Sequence, residues 1–521
     1  MSMSMTDKSM DNIELKVLVN NVSNKVIFVE SDGDFIDVLF SFLTIPMGTV
    51  IRLSHRSQPL GIGCMDNIYG SVESFDSQLF RTEECRAMLL RPRNRTEYLL
   101  DNLKLKFDDS EPMRYYQKVR CPRCERLMDT ETTLPVSGAE DGEVFVKGPA
   151  RFIISDDLQV MHPFTSTSSY LVKNLGCTGW NSIEELTVNV GVDEVLKLLM
   201  CSLVSKMPLT ETLLKHEPLP ELSNENVDQE IYVESRMLGD ATNEEEEKIS
   251  IKLIVSKSRK MVCYAEAGEE FVNLLFSFLT LPLGFIVKQM QDNSMKGCID
   301  QLYKSVQDLD EQCLKSNNHK KMLVSPKLLP GFGYKNHPLG IEEASYRLAV
   351  DTTLIHSNKQ VKSVEFIDPK SHPNKDDNAL GFLKGPAMFM ITDSLNVSPI
   401  SAILGLSILC ELNVPVTDIE VQVAQVGKKE PKAVLLLTIF EPIINRQPFL
   451  AVIWLLRETS TIFRSNQIRE FWCFGPMHSG ELSQQSVVGI YYSPVQLLVE
   501  EEVYSEILMK FCFTVDLMHL M

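Results

Sequence analysis

One nine-residue stretch of this chain is written twice, FSFLTIPMG at residues 40–48 and FSFLTLPLG at residues 276–284. Three further echoes keep the same order. IELKVLVN at 13–20 answers to ISIKLIVS at 249–256, CMDNIYGSVESFD at 64–76 to CIDQLYKSVQDLD at 298–310, and FVKGPARFIISDDLQV at 145–160 to FLKGPAMFMITDSLNV at 382–397. The separation between partners stays between 234 and 237 residues, so insertions between the anchors nearly cancel. Four matches in register point to a duplication, and the chain is expected to fold as two homologous tandem units. The echoing letters are mostly apolar residues and turn formers, which a shared core explains more simply than a pair of like functional sites.

Each unit opens in the same way. LKVLV and KVIFVE are rich in β-branched and aromatic residues and are joined by NNVSN, so they read as a β-hairpin; IKLIV, SKSRK and MVCYAE repeat it. A helix follows over residues 34–44. Phe35, Val38, Leu39, Phe42 and Leu43 fall at three-and-four spacing, and Ile36 and Phe40 widen the apolar face, so burial on most sides is expected. The acidic residues of SDGD and AGEE suit the positive end of that helix and of its counterpart. Pro46 removes a backbone donor and restricts Ile45, ending the helix, and Gly48 offers a left-handed exit turn; Pro282 and Gly284 repeat the stop. A second helix is expected to carry Ile68, Val72, Phe75 and Leu79 as one stripe packed against the sheet, echoed by Leu302, Val306, Leu309 and Cys313. The fold class is therefore α+β, each unit being a β-hairpin followed by a buried helix and further mixed elements.

Composition sets the boundaries. The first unit spans 11–214. Residues 215–248 hold 11 acidic side chains against 3 basic ones and read as an acidic, self-repelling linker. The second unit spans 249–440, and 441–521 is a divergent C-terminal extension without a clear period. The formal net charge of −19 supplies no long-range pull toward nucleic acid or an anionic membrane. The Met-rich polar start lacks the apolar core of a secretory signal, and KAVLLLTIFEPII and FLAVIWLLRE are interrupted before the roughly 20 apolar residues of a spanning helix. A cytoplasmic protein is expected, with the nucleus as a second compartment, and its 12 scattered cysteines then read as reduced.

Spacings that carry chemistry are scarce. CPRC sets Cys121 and Cys124 close enough to grip half of a tetrahedral zinc site, but two more ligands are needed, and neither Cys85, Cys177 nor His162 makes a standard second knuckle. An incomplete zinc knuckle, a redox dithiol and an unliganded pair stay open; no cofactor is otherwise predicted. FVKGPARFIISDD and FLKGPAMFMITDS each place a lysine before Gly-Pro and an aspartate after a strand, pairing Lys147 with Asp156 and Lys384 with Asp393. A ligand could set an anion on the lysine and a polar group on the aspartate. The simpler account makes Gly-Pro a turn and the aspartate the start of the next turn or a helix cap. The chain has no Gly-rich phosphate loop, dinucleotide fingerprint, His-Glu-x-x-His or nucleophile elbow.

FVESDGDFIDVLFSFLTIPMGTVIRL, NIYGSVESFD and FVKGPARFIISDDLQVM, in that order, resemble the DUF674 family, a plant-specific family of unknown function built from one or more copies of such a unit. The likeness covers residues 13–440 and implies a plant source and a tandem two-copy member. It brings no reaction, cofactor or catalytic residue. Family members often carry a further cysteine-containing stretch before the pair matched by Cys121 and Cys124; FDDSEPMRYYQKVRCPRC has none, which puts zinc binding in doubt, and the second copy has no pair. The functional expectation is a non-catalytic interaction or scaffold protein with a protein partner, and neither nucleic acid nor membrane. The alternative is a small-molecule-binding protein or enzyme with its site at Lys147 and Asp156, echoed at Lys384 and Asp393.

Overall fold

The structure is a computed structural model. It describes residues 12–57, 64–108, 144–214 without 149 and 175–178, 249–344 with short gaps, and 381–426, together with short stretches between 119 and 128 and between 354 and 370.

In the first half, β1 (Ile13–Asn20) and β2 (Lys25–Ser31) form the expected antiparallel hairpin. The Asn20 side chain accepts the Val22 and Ser23 amides in the turn, and Asn24 takes φ 49°, a conformation asparagine tolerates better than most residues. Next come α1 (Gly33–Ser41), with Asp34 in its first turn, and a 3-10 turn over Phe42–Thr44. Everything from Phe35 to Thr44 is buried, and the helical run ends before Pro46 as its sequence requires. Helices α2 (Met47–Ser57), α3 (Cys64–Ser74) and α4 (Glu83–Leu90) follow. Strands β3 (Phe152–Ser155), β4 (Val160–Met161) and β5 (Ile183–Val190) complete an antiparallel sheet of order β4-β3-β2-β1-β5. Between β4 and β5 lies α5 (Thr165–Asn174); after β5 come α6 (Val192–Val204) and α7 (Pro208–Leu213).

The second half repeats the order of elements: β6 (Ile249–Ser256), β7 (Met261–Gly268), α8 (Glu269–Ser277), α9 (Leu283–Gln289), α10 (Ile299–Asp308) and α11 (Asn317–Val324). Then come β8 (Met388–Ile391), β9 (Val397–Pro399), α12 (Ala402–Glu411) and β10 (Ile419–Val426). Its sheet has the matching order β9-β8-β7-β6-β10. The fold is thus mixed α+β with two five-stranded antiparallel sheets.

One continuous apolar core runs through both halves. The apolar stripe on α3 lies against the second half: Phe75 stacks on Phe389 of β8 with centroids 5.6 Å apart and planes 8° apart, and meets Phe276 of α8 edge-on. The Ser71 hydroxyl accepts the Val397 amide of β9 at 2.9 Å. The reciprocal contact is made by Ser305 of α10, which accepts the Val160 amide of β4 at 2.9 Å. Each sheet is therefore covered in part by a helix from the other half.

Two local expectations are corrected. The stripe does not stay on one helix to Leu79: α3 stops at Ser74, because the Asp76 carboxylate accepts the Gln78 amide and starts a separate 3-10 turn, as Asp310 does for Gln312. Gly48 makes no left-handed exit; it lies in the first turn of α2, where a Cβ would come 2.7 Å from the Leu89 carbonyl oxygen and 3.2 Å from that of Leu279. Gly284 is matched, with 2.7 Å to Leu323 O and 2.8 Å to Leu43 O. Both glycines let one half's helix approach the other half's backbone.

Candidate functional site

The nine-residue echo marks the line where the halves meet. Met47 N donates to Leu281 O and Leu283 N to Ile45 O, each at 2.9 Å, so Pro46 and Pro282 face one another across a short antiparallel bridge. The two Lys-Gly-Pro segments serve the same junction. Lys147 N donates to Cys313 O and Lys315 N to Phe145 O, while Lys384 N donates to Leu79 O and Arg81 N to Phe382 O, all at 2.9 Å. The lysine side chains point outward: both residues are exposed, and Lys384 Nζ donates to Gln78 O at 2.9 Å.

Asp156 lies in the β3–β4 turn with its carboxylate committed to α7. It accepts the Thr210 amide at 2.8 Å and the Thr210 hydroxyl, and that hydroxyl in turn accepts the Val26 amide of β2. Burial pushes the Asp156 carboxyl up to about 6, against the downward pull of the two Thr210 bonds. No ion pair joins Asp156 to Lys147. Asp393 occupies the equivalent turn, half-buried. In both turns a leucine, Leu158 at φ 64° and Leu395 at φ 59°, is held in the left-handed region while its side chain is fully buried.

Asp37, on the buried face of α1, was not singled out by sequence reasoning. Its carboxylate accepts the amides of Val144, Phe145 and Val146 at 3.2, 2.8 and 2.8 Å, fastening the first Lys-Gly-Pro segment to the helix. Burial raises its carboxyl to about 6, with the three amides opposing. Asn273 does the equivalent work on α8, its Oδ1 accepting the Phe382 and Leu383 amides at 2.8 and 3.0 Å. Its amide nitrogen takes the space beside Gly381, where a Cβ would approach to 2.3 Å; the first half has Val144 there. A polar letter at the same place in two apolar helices, DFIDVLF and EFVNLLF, was the available signal.

A buried Ser–His contact occurs in the second half, Ser277 Oγ to His337 Nε2 at 2.9 Å. His337 Nδ1 accepts the Leu339 amide, so the ring proton sits on Nε2 and is donated to Ser277. The serine hydroxyl donates to Leu274 O at 2.6 Å. Histidine is thus a donor to the serine and not its base, and burial lowers its pKa to about 4. Both side chains are satisfied within the core.

A shallow cleft, open to solvent, lies over the Pro46–Pro282 bridge. Thr44, Arg95, Thr280 and Lys327 line it with the two prolines, and none of Lys147, Asp156, Lys384 or Asp393 does. Lys327 pairs with Glu342, and Arg93, also on the cleft, with Glu97 at 2.8 Å. Arg95 is half-buried and has no hydrogen-bonding or ionic partner among the described residues.

Cys121 and Cys124 lie outside the described residues. The stretches on either side, Val119–Arg120 and Leu127–Met128, pair antiparallel. Cys85 is buried in α4 beside the Thr82 hydroxyl, and the His162 ring lies near those of Phe152 and Phe164. Among the described residues no group of three or more His, Cys, Asp or Glu side chains could hold a metal ion, and no helix is long and apolar enough to cross a membrane.

Neither a curated protein nor a solved structure matches this chain. A family profile described as "Protein of unknown function (DUF674)" matches residues 9–429. That span takes in both sheets and the bridge between them, and the chain belongs to the DUF674 family.

Proposed function

We propose that this DUF674 member is a non-catalytic interaction or scaffold protein of the cytoplasm, with the nucleus as a second compartment, whose two halves arose by duplication. The observation that carries this reading is the internal use of the repeated polar positions: Asp37 and Asn273 hold the Lys-Gly-Pro segments, whose backbones then stitch the halves together. Side chains bonded in this way maintain a rigid body and are not free for proton transfer. Affinity purification of the endogenous protein at low salt tests the reading. A stoichiometric protein partner is expected; a monomer that turns over a metabolite would overturn it.

A second reading is favoured by Arg95. A half-buried guanidinium with no partner among the described residues, beside Arg93 and Lys327 on one cleft, suits a small phosphate- or carboxylate-bearing ligand. This site is better supported than one at Lys147 and Asp156, because Asp156 already binds Thr210. A ligand that binds only the folded state raises Tm. Inorganic phosphate and anionic metabolites should raise it in the wild type and not in Arg95→Gln; no shift at millimolar concentration would sink this reading.

A further inference from the structure

The cleft over the Pro46–Pro282 bridge has two banks, and they come from equivalent stretches of the two halves. At the matching helix ends Arg91 N donates to Ala87 O at 2.8 Å and Ser325 N to Lys321 O at 2.9 Å, and a proline follows each. The next residues therefore correspond one for one: Arg93 with Lys327, Asn94 with Leu328 and Arg95 with Leu329. All six line the cleft. At the first of these places both halves keep a cation. At the other two the first half is polar and the second aliphatic, and Met322 adds its thioether side chain to the aliphatic bank. A duplicated stretch has thus diverged into a cationic bank and an apolar one around a single cleft.

The charges on the cleft decide which anion suits it. Arg93 is paired with Glu97 at 2.8 Å and Lys327 with Glu342, so each is already balanced. Asn94 is held by Thr44 and Thr96, donating to the hydroxyl of one and accepting the amide and hydroxyl of the other. Arg95 has no hydrogen-bonding or ionic partner among the described residues, which leaves the cleft one uncompensated positive charge. Its guanidinium is a planar fork of donors that matches a carboxylate. One cation balances a monoanion. A phosphate dianion brings a second charge that nothing on the cleft meets, into a molecule whose formal net charge is already −19. The aliphatic bank favours an anion with an alkyl body over a bare inorganic one, and the shallow form of the cleft keeps that body short.

We propose that the cleft binds a small aliphatic monocarboxylate, its carboxylate on Arg95 and its alkyl group on the bank made by Met322 and Leu329. This rests on the anion-binding reading of the same cleft and narrows it to one class of ligand. Arg95 belongs to the first half, and Met322 and Leu329 to the second, so the bound acid touches both and ties them together across the Pro46–Pro282 bridge. A ligand of about five heavy atoms in an open cleft binds in roughly the millimolar range. Each methylene laid on the aliphatic bank tightens binding by up to about fourfold.

Thermal unfolding of the full chain with formate, acetate, propionate, malonate or inorganic phosphate tests this, with sodium chloride holding the ionic strength fixed. At about pH 8, where phosphate is a dianion, apparent affinity should rise from formate through acetate to propionate. Malonate and phosphate should bind at least about threefold more weakly than propionate. Arg95→Leu installs the second half's own side chain at the matching place and should abolish the propionate shift. Arg95→Lys keeps the charge without the fork and should reduce it. Lys147→Gln removes one exposed positive charge elsewhere and should leave it unchanged. Saturation-transfer NMR from the protein to the propionate methyl group reads binding without reference to Tm, and its signal should vanish in Arg95→Leu alone. If malonate or phosphate acts through Arg95 as strongly as propionate, the monocarboxylate proposal falls and the anion-binding reading stands. If no anion acts through Arg95, both fall. A propionate signal that survives Arg95→Leu, or that Lys147→Gln removes, overturns the proposed site.

Discussion

Gly48 and Gly284 make the same contact from opposite sides of the junction, each pressed against carbonyl oxygens of its own half and of the other. Ser166 and Ile403 occupy equally matched places on the outer faces and have nothing chemical in common. The difference shows where this fold is demanding. A junction residue is constrained by a partner that is itself constrained in return, so a change must be answered across the line. The pairing of Asp37 with Val144, and of Asn273 with Gly381, shows the same reciprocity within each half: where the amide replaces the carboxylate, the neighbouring side chain disappears. An outer residue answers only to solvent or to another molecule.

The strongest way to break the comparison is to crowd the junction. Gly284→Ala sets a Cβ within 2.8 Å of two backbone carbonyl oxygens that cannot rotate away. The expected loss is about 3 kcal/mol by denaturant unfolding, with a comparable loss for Gly48→Ala. An unchanged midpoint in either variant would mean that the halves do not approach as described.

Acid should next separate the halves. His337 falls from an ordinary 6.5 to about 4 in the folded protein, so it contributes stability above pH 6.5 that is lost as pH drops toward 4. The amount is about 3 kcal/mol at about 1.4 kcal/mol per pH unit. His337→Asn should be less stable than wild type at pH 7, and the gap should close by about that much by pH 4. Asp37 in the first half has the opposite sign. Its carboxyl is raised to about 6, so folding favours the protonated form and stability rises as pH falls from 6 toward 3.8. Asp37→Asn lacks that gain, so relative to wild type it should lose about 2 kcal/mol between pH 7 and pH 4. Parallel pH profiles for the two variants would erase the distinction.

The smallest expected effect is a gain. Gly70 is the residue on α3 that matches Lys304 on α10, and a Cβ there meets nothing within 4 Å. Gly70→Ala should stabilise by about 0.5–1 kcal/mol through helix propensity alone, where the same change at Gly48 destabilises.

Local chemistry was readable in advance. The hairpin, the buried helix from Phe35 and its stop before Pro46 each depend on neighbours in the chain, and period, β-branching and proline report those directly. The destination of the α3 stripe was not readable. Ile68, Val72 and Phe75 announce an apolar face but not whose sheet it will cover, and the nearest sheet in sequence is the wrong one. Gly48 was recognisable as a special position, but a conformational need and a steric one look alike in a sequence. Lys147 and Asp156 could be named from the sequence as candidates but their surroundings could not, because Thr210, which holds Asp156, lies 54 residues away. Ser277 and His337, 60 residues apart in no motif, carried no signal at all.

The crossed covering also sets a timetable for synthesis. The helix that shields the second sheet, α3, leaves the ribosome long before that sheet exists, as the 326 residues between Ser71 and Val397 record. The first sheet has the reverse experience. The Val160 amide meets its acceptor, the Ser305 hydroxyl, only 145 residues later, and at about 5–20 residues per second that is roughly 7–30 s. For that interval the nascent first half holds an apolar surface that nothing yet synthesised can close. The order of the two halves along the chain thus leaves the amino-terminal sheet waiting for a cover that is made only after it.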